Sequence, residues 1–471
     1  MILINIDKSQ SASYLYQQIY KEFKNKILDR TYKAHEKLPT KRTLSEQLGI
    51  SINTVTNAYE QLLAEGYIYT IERSGYYVEE IAQFSTTKNA NDDFPSYLRE
   101  KGKNRSGSVS LSHMTADIDE FPFQDWLKCE KEAIKQFSEE LSEIGHPQGP
   151  YEVRKTIAKF IALSRGVKCE PEQIVISSGT QPLVKQLMSL TVDTTTVAME
   201  SPGYPRIYSM LTNHIQLDTK LIPLDEHGAN IEAVDQSKAD FLFVTPSHQF
   251  PSGKIMPISR RIELLNWALK KENRYIIEDD YDSEFKYQTD NIPSLQSLDH
   301  HQRVIYFGSF SKSLLPTLRI SYMVLPINLL KIYREKFSDL INYTNTLSLY
   351  TLHHFIQSGM YERHIKKMTQ HYEKKRNLLI QTLKNTFKDT CTINDIPAGL
   401  HFTARFVTDK SYEEIERLAE EVKLEIYTLK RFSLNDEYKQ SKNIELIIGF
   451  ANTKTDEIKE AINRLQQIFT A

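Results

Sequence analysis

The stretch "GSFSKSLLPTLRISYMV", Gly308 to Val324, joins two apolar runs through a polar loop. The run that enters it, "VIYFGSFS", is of strand length and ends in serines, and the run that leaves it, "SYMVLP", is again of strand length. Between them stand Lys312, among hydroxyls, and Arg319, seven residues on. A single lysine is usually a solvated surface charge. Here that reading must explain a lysine just past a buried strand. A lysine desolvated near other cations has a lowered pKa and becomes a nucleophile for aldehydes.

Moving outward, the same pattern recurs from about Leu111. "QIVISSGT", "TVAMESPGY", "FLFVTPS" and "RYIIEDDY" are apolar runs ending in small, polar or acidic residues, and helical stretches separate them. This predicts an α/β domain with a buried parallel sheet and ligand groups at the C-terminal strand ends. After about Pro326 the chain reads as mainly helical, and "AGLHFTARF" and "ELIIGFA" supply strands for a smaller terminal subdomain.

The strand ends carry the chemistry. "SSGTQ" offers Gly179, Thr180 and Gln181 at a strand-to-helix turn, an anion site of the helix N-terminus kind. "ESPGYPRIY" carries Tyr204, a ring able to lie over a planar ligand, and Arg206. "IIEDDYDSEF" clusters carboxylates around Tyr281, which is costly unless they meet a cation, a metal or a protonated ring nitrogen. No histidine lies close by in sequence and no second acidic cluster is evident, so a metal ranks lower and none is expected. Ser309, Ser311 and Arg319 suit a phosphate, with Lys312 within reach of the same ligand. A lysine for an imine, an acid for a pyridinium nitrogen, a ring to stack and a phosphate cup are the parts of a pyridoxal 5′-phosphate site.

The N-terminal part follows other rules. Tyr14 to Arg30 reads as an amphipathic helix. Thr40 and Ser51 read as caps of two further helices, Gly49 as the turn between them, and Val55, Ala58, Tyr59, Leu62 and Leu63 as the buried stripe of the second. "YIYTIERSGYYV" alternates around a Ser-Gly turn as a hairpin does. Together these describe a winged helix-turn-helix, with Ser51, Asn53, Thr54 and Thr56 at the groove, Lys41 and Arg42 near phosphates and Arg73 in the hairpin tip at a minor groove or the backbone. Charge gives no independent support, since residues 1–80 hold about ten basic and ten acidic side chains.

The bulk numbers set limits. A chain of 471 residues is too long for one core, so two or three domains are expected. The formal net charge of −2 means that a nucleic-acid partner must meet a local surface. Three scattered cysteines, no leader-like N-terminus and no long apolar run suggest a cytoplasmic protein with no membrane span.

The N-terminal motif "LPTKRTLSEQLGISINTVTNAYEQLLAEGYIYTIERSGYYV" closely resembles the DNA-binding domain of the GntR family, over about residues 10–80. That resemblance implies that Lys41, Arg42, Thr54 and Gly75 face DNA. One position departs from the family pattern: Ile52 stands where an arginine usually follows the recognition-helix serine. Residues 111–471 resemble class I aminotransferases of the fold-type I pyridoxal phosphate family. The resemblance implies Lys312 as the imine lysine, Asp279 at the pyridine nitrogen, Tyr281 beside the ring hydroxyl and Tyr204 as the stacking ring. It also implies Gly179, Thr180, Gln181, Ser309, Ser311 and Arg319 as the phosphate site. Two departures matter. Phe250 in "QFPSG" replaces the asparagine of N-P-T-G, and "ELIIGFA" lacks the arginine of an R-x-x-F-A strand. Arg206 and Arg431 are then the cations left for an effector carboxylate.

The combination of the two resembles the MocR subfamily of GntR regulators, and within it the GABA-responsive members. The expected architecture is a winged helix-turn-helix over 1–81, a linker over 82–110 and a fold-type I domain over 111–471. The resemblance implies a head-to-tail, domain-swapped homodimer that binds promoter DNA and pyridoxal 5′-phosphate. GABA would form an imine with the cofactor, and genes of GABA catabolism would be controlled. The alternatives are an active aminotransferase with an accessory DNA-binding domain, or a regulator sensing another amine or the cofactor itself.

Overall fold

Thr40 and Ser51 organise the N-terminal unit. In the computed structural model, which describes residues 14–82, 95–100, 107–115, 117–192, 194–287, 292–435 and 443–470, each begins a helix by accepting a hydrogen bond from the backbone three residues on. Helices α1 (Leu15–Leu28), α2 (Lys41–Leu48) and α3 (Ile52–Ala64) pack Ile19, Phe23, Leu44, Val55, Tyr59 and Leu62 into one small core. Gly49 ends α2 in the left-handed region, at φ 60°. Strands β1 (Ile68–Ile71) and β2 (Gly75–Val78) form the antiparallel hairpin, with Arg73 in its turn. Leu63 departs from the predicted stripe and is 38% exposed. At about 100° per residue it lies roughly 80° from Val55 around the helix, against about 20° for Leu62.

The chain divides into two compact units, Met1–Lys103 and Asn104–Ala471. Within the stretch expected to be a linker, residues 83–94 and 101–106 lie outside the described residues. Val109–Ser110 is strand β3 of the second unit. It pairs in parallel with β14 (Leu424–Glu425).

The second unit is built on an eight-stranded sheet. Its strands are β4 (Ile174–Ser177), β5 (Thr196–Ser201), β6 (Asp218–Asp225), β7 (Gly228–Ala229), β8 (Phe241–Val244), β9 (Tyr275–Asp280), β10 (Val304–Ser309) and β11 (Ser321–Val324). Their order is β4-β11-β10-β9-β8-β5-β6-β7. Helices cover both faces because neighbouring strand residues point opposite ways. Ile174 and Ile176 join the cluster under α5 (Tyr151–Arg165), which also receives Trp126 and Cys129 of α4 (Phe123–Gln136). Val175 joins Leu183 and Leu187 of α6 (Thr180–Ser189) on the other side. The expectation of an all-parallel sheet fails at two strands. β11 runs antiparallel to both β10 and β4, and β7 antiparallel to β6. The connection 310–320 is too short for the crossover that a parallel β11 would need, about a dozen residues or more.

The smaller sheet has order β12-β13-β16-β15, formed by Cys391–Asn394, His401–Val407, Asn443–Gly449 and Tyr427–Thr428 respectively. β13 and β16 pair antiparallel from His401↔Gly449 to Val407↔Asn443. Among the described residues, no helix is long and apolar enough to cross a membrane.

Candidate cofactor and effector site

The strand ends of the large sheet converge on a cavity of about 420 Å³. Every residue predicted for the cofactor lines it: Gly179, Thr180, Gln181, Tyr204, Asp279, Tyr281, Ser309, Ser311, Lys312 and Arg319. So do both predicted effector cations, Arg206 and Arg431. Residues from positions 179 to 431 meet here because β4, β5, β9 and β10 all end on this side.

Asp279, the penultimate residue of β9, is buried, and its Oδ1 has no partner among the described residues. Burial, with Asp280 and Asp282 beside it, raises its pKa to about 7. Lys312 donates from Nζ to the His113 carbonyl at 2.5 Å. Burial lowers its pKa to about 8, so a neutral, nucleophilic amine is accessible near physiological pH.

Another part of the cavity lining suits an anion. Thr180 and Gln181 open α6, which has no side-chain N-cap, so its first-turn N–H groups lack intrahelical acceptors. Gly179 caps that helix at φ 128°, and a Cβ there would overlap the Arg319 guanidinium. Ser309 Oγ accepts from the Ser311 backbone N–H and lies 2.9 Å from Ser321 Oγ, while the buried Ser311 Oγ has no partner among the described residues. An orphaned carboxyl, a guanidinium with a helix terminus and a desolvated amine lining one cavity fit pyridoxal 5′-phosphate.

Aromatic side chains wall the cavity. Tyr204 caps α7 (Pro205–Ser209), and its ring meets Phe250 edge-on, at 5.8 Å between centroids. Phe250 also packs on Tyr281 and Phe432, and it clusters with Leu429 and the fully buried Ile447. Arg206 and Arg431 both reach the surface. Arg431 gives its Nε to Glu416 at 2.9 Å and lies over the Tyr427 ring. Arg206 has no ion-pair partner among the described residues.

Three histidines escaped the sequence reading. His113 packs on Phe250, Tyr427 and Phe432, and burial, followed by Lys312 and Arg206, lowers its pKa to about 3. His248 and His401 pack against Asp282, with one donor atom of each within 4.8 Å of the others. The sequence argument against a metal counted only neighbours along the chain. Through space, two imidazoles do stand beside the acidic cluster. Their one visible signal was a polar residue inside or just after an apolar run, as in "AGLHFTARF".

The predicted DNA-facing residues lie along α2, the start of α3 and the hairpin. Arg42 and Asn53 are exposed, and Arg42 shares its charge with Glu46 at 3.1 Å. Lys41 sits over the Tyr76 ring, and Thr56 is half-buried. Ser51 and Thr54 hydrogen-bond each other at 2.8 Å, so part of their capacity goes to capping α3. Arg73 sits in the hairpin turn and Gly75 follows it at the start of β2, and Ile52 is 49% exposed at the first position of α3.

Comparison with known proteins agrees with this division. Residues 111–465 match the family model for aminotransferase class I and II, and residues 15–78 match that for bacterial regulatory proteins, gntR family. The chain is 37% identical over 455 residues to YdeL, an uncharacterized HTH-type transcriptional regulator of Bacillus subtilis, covering 96% of each chain. It is 30% identical over 482 residues to the probable rhizopine catabolism regulatory protein MocR of Rhizobium meliloti, covering 97% of this chain and 94% of that one. Kynurenine aminotransferase from Pyrococcus horikoshii shares the fold, with a TM-score of 0.69 at 22% identity over 77% of this chain and 91% of that one. A DNA-reading head and a cofactor-binding aminotransferase fold therefore lie in one chain, with end-to-end relatives named as regulators. The chain belongs to the MocR-type GntR transcriptional regulators, and its cofactor is pyridoxal 5′-phosphate.

Proposed function

We propose that the chain is a GABA-sensing regulator, a homodimer that controls genes of GABA catabolism and its own promoter. The observation that carries this reading is the distribution of charge in the cavity. Lys312 stands at the inner end, the cations Arg206 and Arg431 stand at the rim, and Phe250 and Phe432 form an apolar wall that the buried Ile447 backs. A ligand that satisfies both ends is a primary amine with its carboxylate several carbons away, and GABA has that form. An α-amino acid would bring its carboxylate close to the amine. Enzymes of this fold meet that carboxylate with the arginine of an R-x-x-F-A strand, and Ile447 stands three residues before Phe450 in that register.

When bound, pyridoxal 5′-phosphate supplies an aldehyde carbon that takes up primary amines in exchange for Lys312. Asp279 would hold the pyridine nitrogen, and the residues around α6 and Arg319 would hold the phosphate. Lys312, once exchanged, has the His113 carbonyl as an acceptor. Arg206 is the stronger carboxylate clamp, because Glu416 already compensates Arg431. The signal reaches the DNA heads only if GABA binds one arrangement of the dimer better than the other. Arg42, Ile52, Asn53 and Arg73 are the exposed side chains that meet DNA.

The test is the GABA response of Arg206→Ala and Arg431→Ala, read as cofactor absorbance against GABA concentration. Loss of a charge-assisted hydrogen bond predicts a roughly ten- to hundredfold weaker response for Arg206→Ala and a smaller one for Arg431→Ala. A normal response in both variants would overturn the clamp.

A further inference from the structure

Behind Tyr281 lies a buried imidazole that the reading above does not use. His248 follows β8, and its ring is slotted between Gly253 and Gly399. Both glycines have positive φ, 76° and 70°, and a Cβ on Gly399 would overlap both the ring and the Asp282 carboxylate. His248 Nδ1 lies 2.9 Å from Asp282 Oδ2 and 3.0 Å from the Tyr281 hydroxyl. His248 Nε2 is buried and has no partner among the described residues.

These contacts fix where the protons are. A proton on Nε2 would be an orphaned buried donor, at a cost of about 1–3 kcal/mol. The proton therefore sits on Nδ1, where the Asp282 carboxylate accepts it. Nδ1 then cannot accept from Tyr281. The Tyr281 oxygen takes a share of the same N–H, and its own proton is turned to the cavity that its side chain lines. The neighbouring imidazole does not compete. His401, with ring centroids 4.8 Å away, donates from Nε2 to the Pro251 carbonyl, and burial keeps it neutral.

We propose that His248 and Asp282 are positioning residues that hold Tyr281 as a hydrogen-bond donor toward the ring oxygen of the cofactor. The inference rests on the cofactor assignment and adds a second layer to it. Tyr281 touches the cofactor, and the pair behind it sets which way its hydroxyl points. The titratable groups facing this unit are Lys312, Asp279, Asp282 and His401, with Glu200 and Asp280 also acting on Tyr281.

The experiment uses the full-length, cofactor-loaded protein without GABA. It reads the ratio of the two visible bands of the lysine-bound cofactor at one fixed pH. Tyr281→Phe sets the reference change. His248→Leu and Asp282→Asn should move the ratio in the same direction by a comparable factor, about tenfold for one lost hydrogen bond to a charged group. His248→Asn, whose amide N–H replaces Nδ1–H, should stay within about threefold of the native ratio on the same scale. Adding Asp282→Asn to Tyr281→Phe should change nothing further, because both act through one hydroxyl. Native ratios in folded His248→Leu and Asp282→Asn, or an additive double variant, would overturn the proposal. If His248→Leu does not fold, the Asp282→Asn pair decides. One equivalent of a transition metal in the purified protein, lost in Asp282→Asn, would also overturn it and make His248, Asp282 and His401 ligands.

Discussion

Two carboxylates one residue apart in β9 have opposite surroundings. Asp280 does not line the cofactor cavity, and its Oδ2 accepts two hydrogen bonds. Arg165 donates to it at 2.6 Å and the Tyr306 hydroxyl at 2.6 Å, and Arg165 in turn reaches Ser247 and the Ile292 carbonyl. Asp279 faces the cavity with an unpartnered oxygen, and its pKa rises to about 7. The same strand thus compensates one buried acid and leaves its neighbour open. A buried charge without a partner is costly. Its occurrence beside an available lysine and an anion cup marks the side of the sheet where a ligand completes the structure. On the other side Asp280 has its cation and hydroxyl partners from the chain itself.

The largest expected effect falls on the cavity side. Lys312→Ala should abolish covalent attachment altogether, so that reductive trapping with borohydride leaves no cofactor on the protein by mass spectrometry. On the Asp280 side, Arg165→Leu strands Asp280 and should cost about 3–5 kcal/mol of stability in urea unfolding. Asp279→Asn sharpens the contrast. It should leave the cofactor-free protein as stable as before, or more so, while weakening cofactor binding about a hundredfold in equilibrium dialysis. If Asp279→Asn destabilises as Arg165→Leu does, the two faces are not different in kind. Gly179→Ala should weaken cofactor binding about tenfold, because the added methyl displaces Arg319 and the left-handed φ strains the cap. The smallest effect is in pH. Lys312 must be neutral to attack, and burial lowers its pKa from the usual lysine value to about 8. The rate of cofactor attachment should therefore rise up to about pH 8 and then level, where an ordinary lysine would keep climbing.

Much of this contrast was legible in the sequence. The cofactor residues sit at the ends of apolar runs, and a sheet of this kind gathers such ends on one side, so chain order alone predicted their meeting. Direction was not legible, since "SYMVLP" reads the same parallel or antiparallel, and only the short connection 310–320 made β11 turn back. "DTKLIPLD" hid strand β6 because its half-exposed alternation lacks a continuous apolar run. The histidines were the deeper loss. His113, His248 and His401 come from three loops or strand starts with no shared motif, and their proximity to Lys312 and Asp282 exists only after folding. Asp280 was likewise grouped with Asp279 as one acidic cluster. The alternation of a strand separates them to opposite faces, and Arg165, 115 residues earlier, claims one of them.

The most direct test of GABA sensing is the visible absorption of the cofactor-loaded protein after GABA addition, followed for hours, with promoter DNA binding measured in parallel. A prompt, saturable spectral change that then holds, accompanied by a change in DNA binding, is the predicted result. A slow, complete conversion to the pyridoxamine form, reversed by a keto acid, would contradict it and make the chain a working aminotransferase.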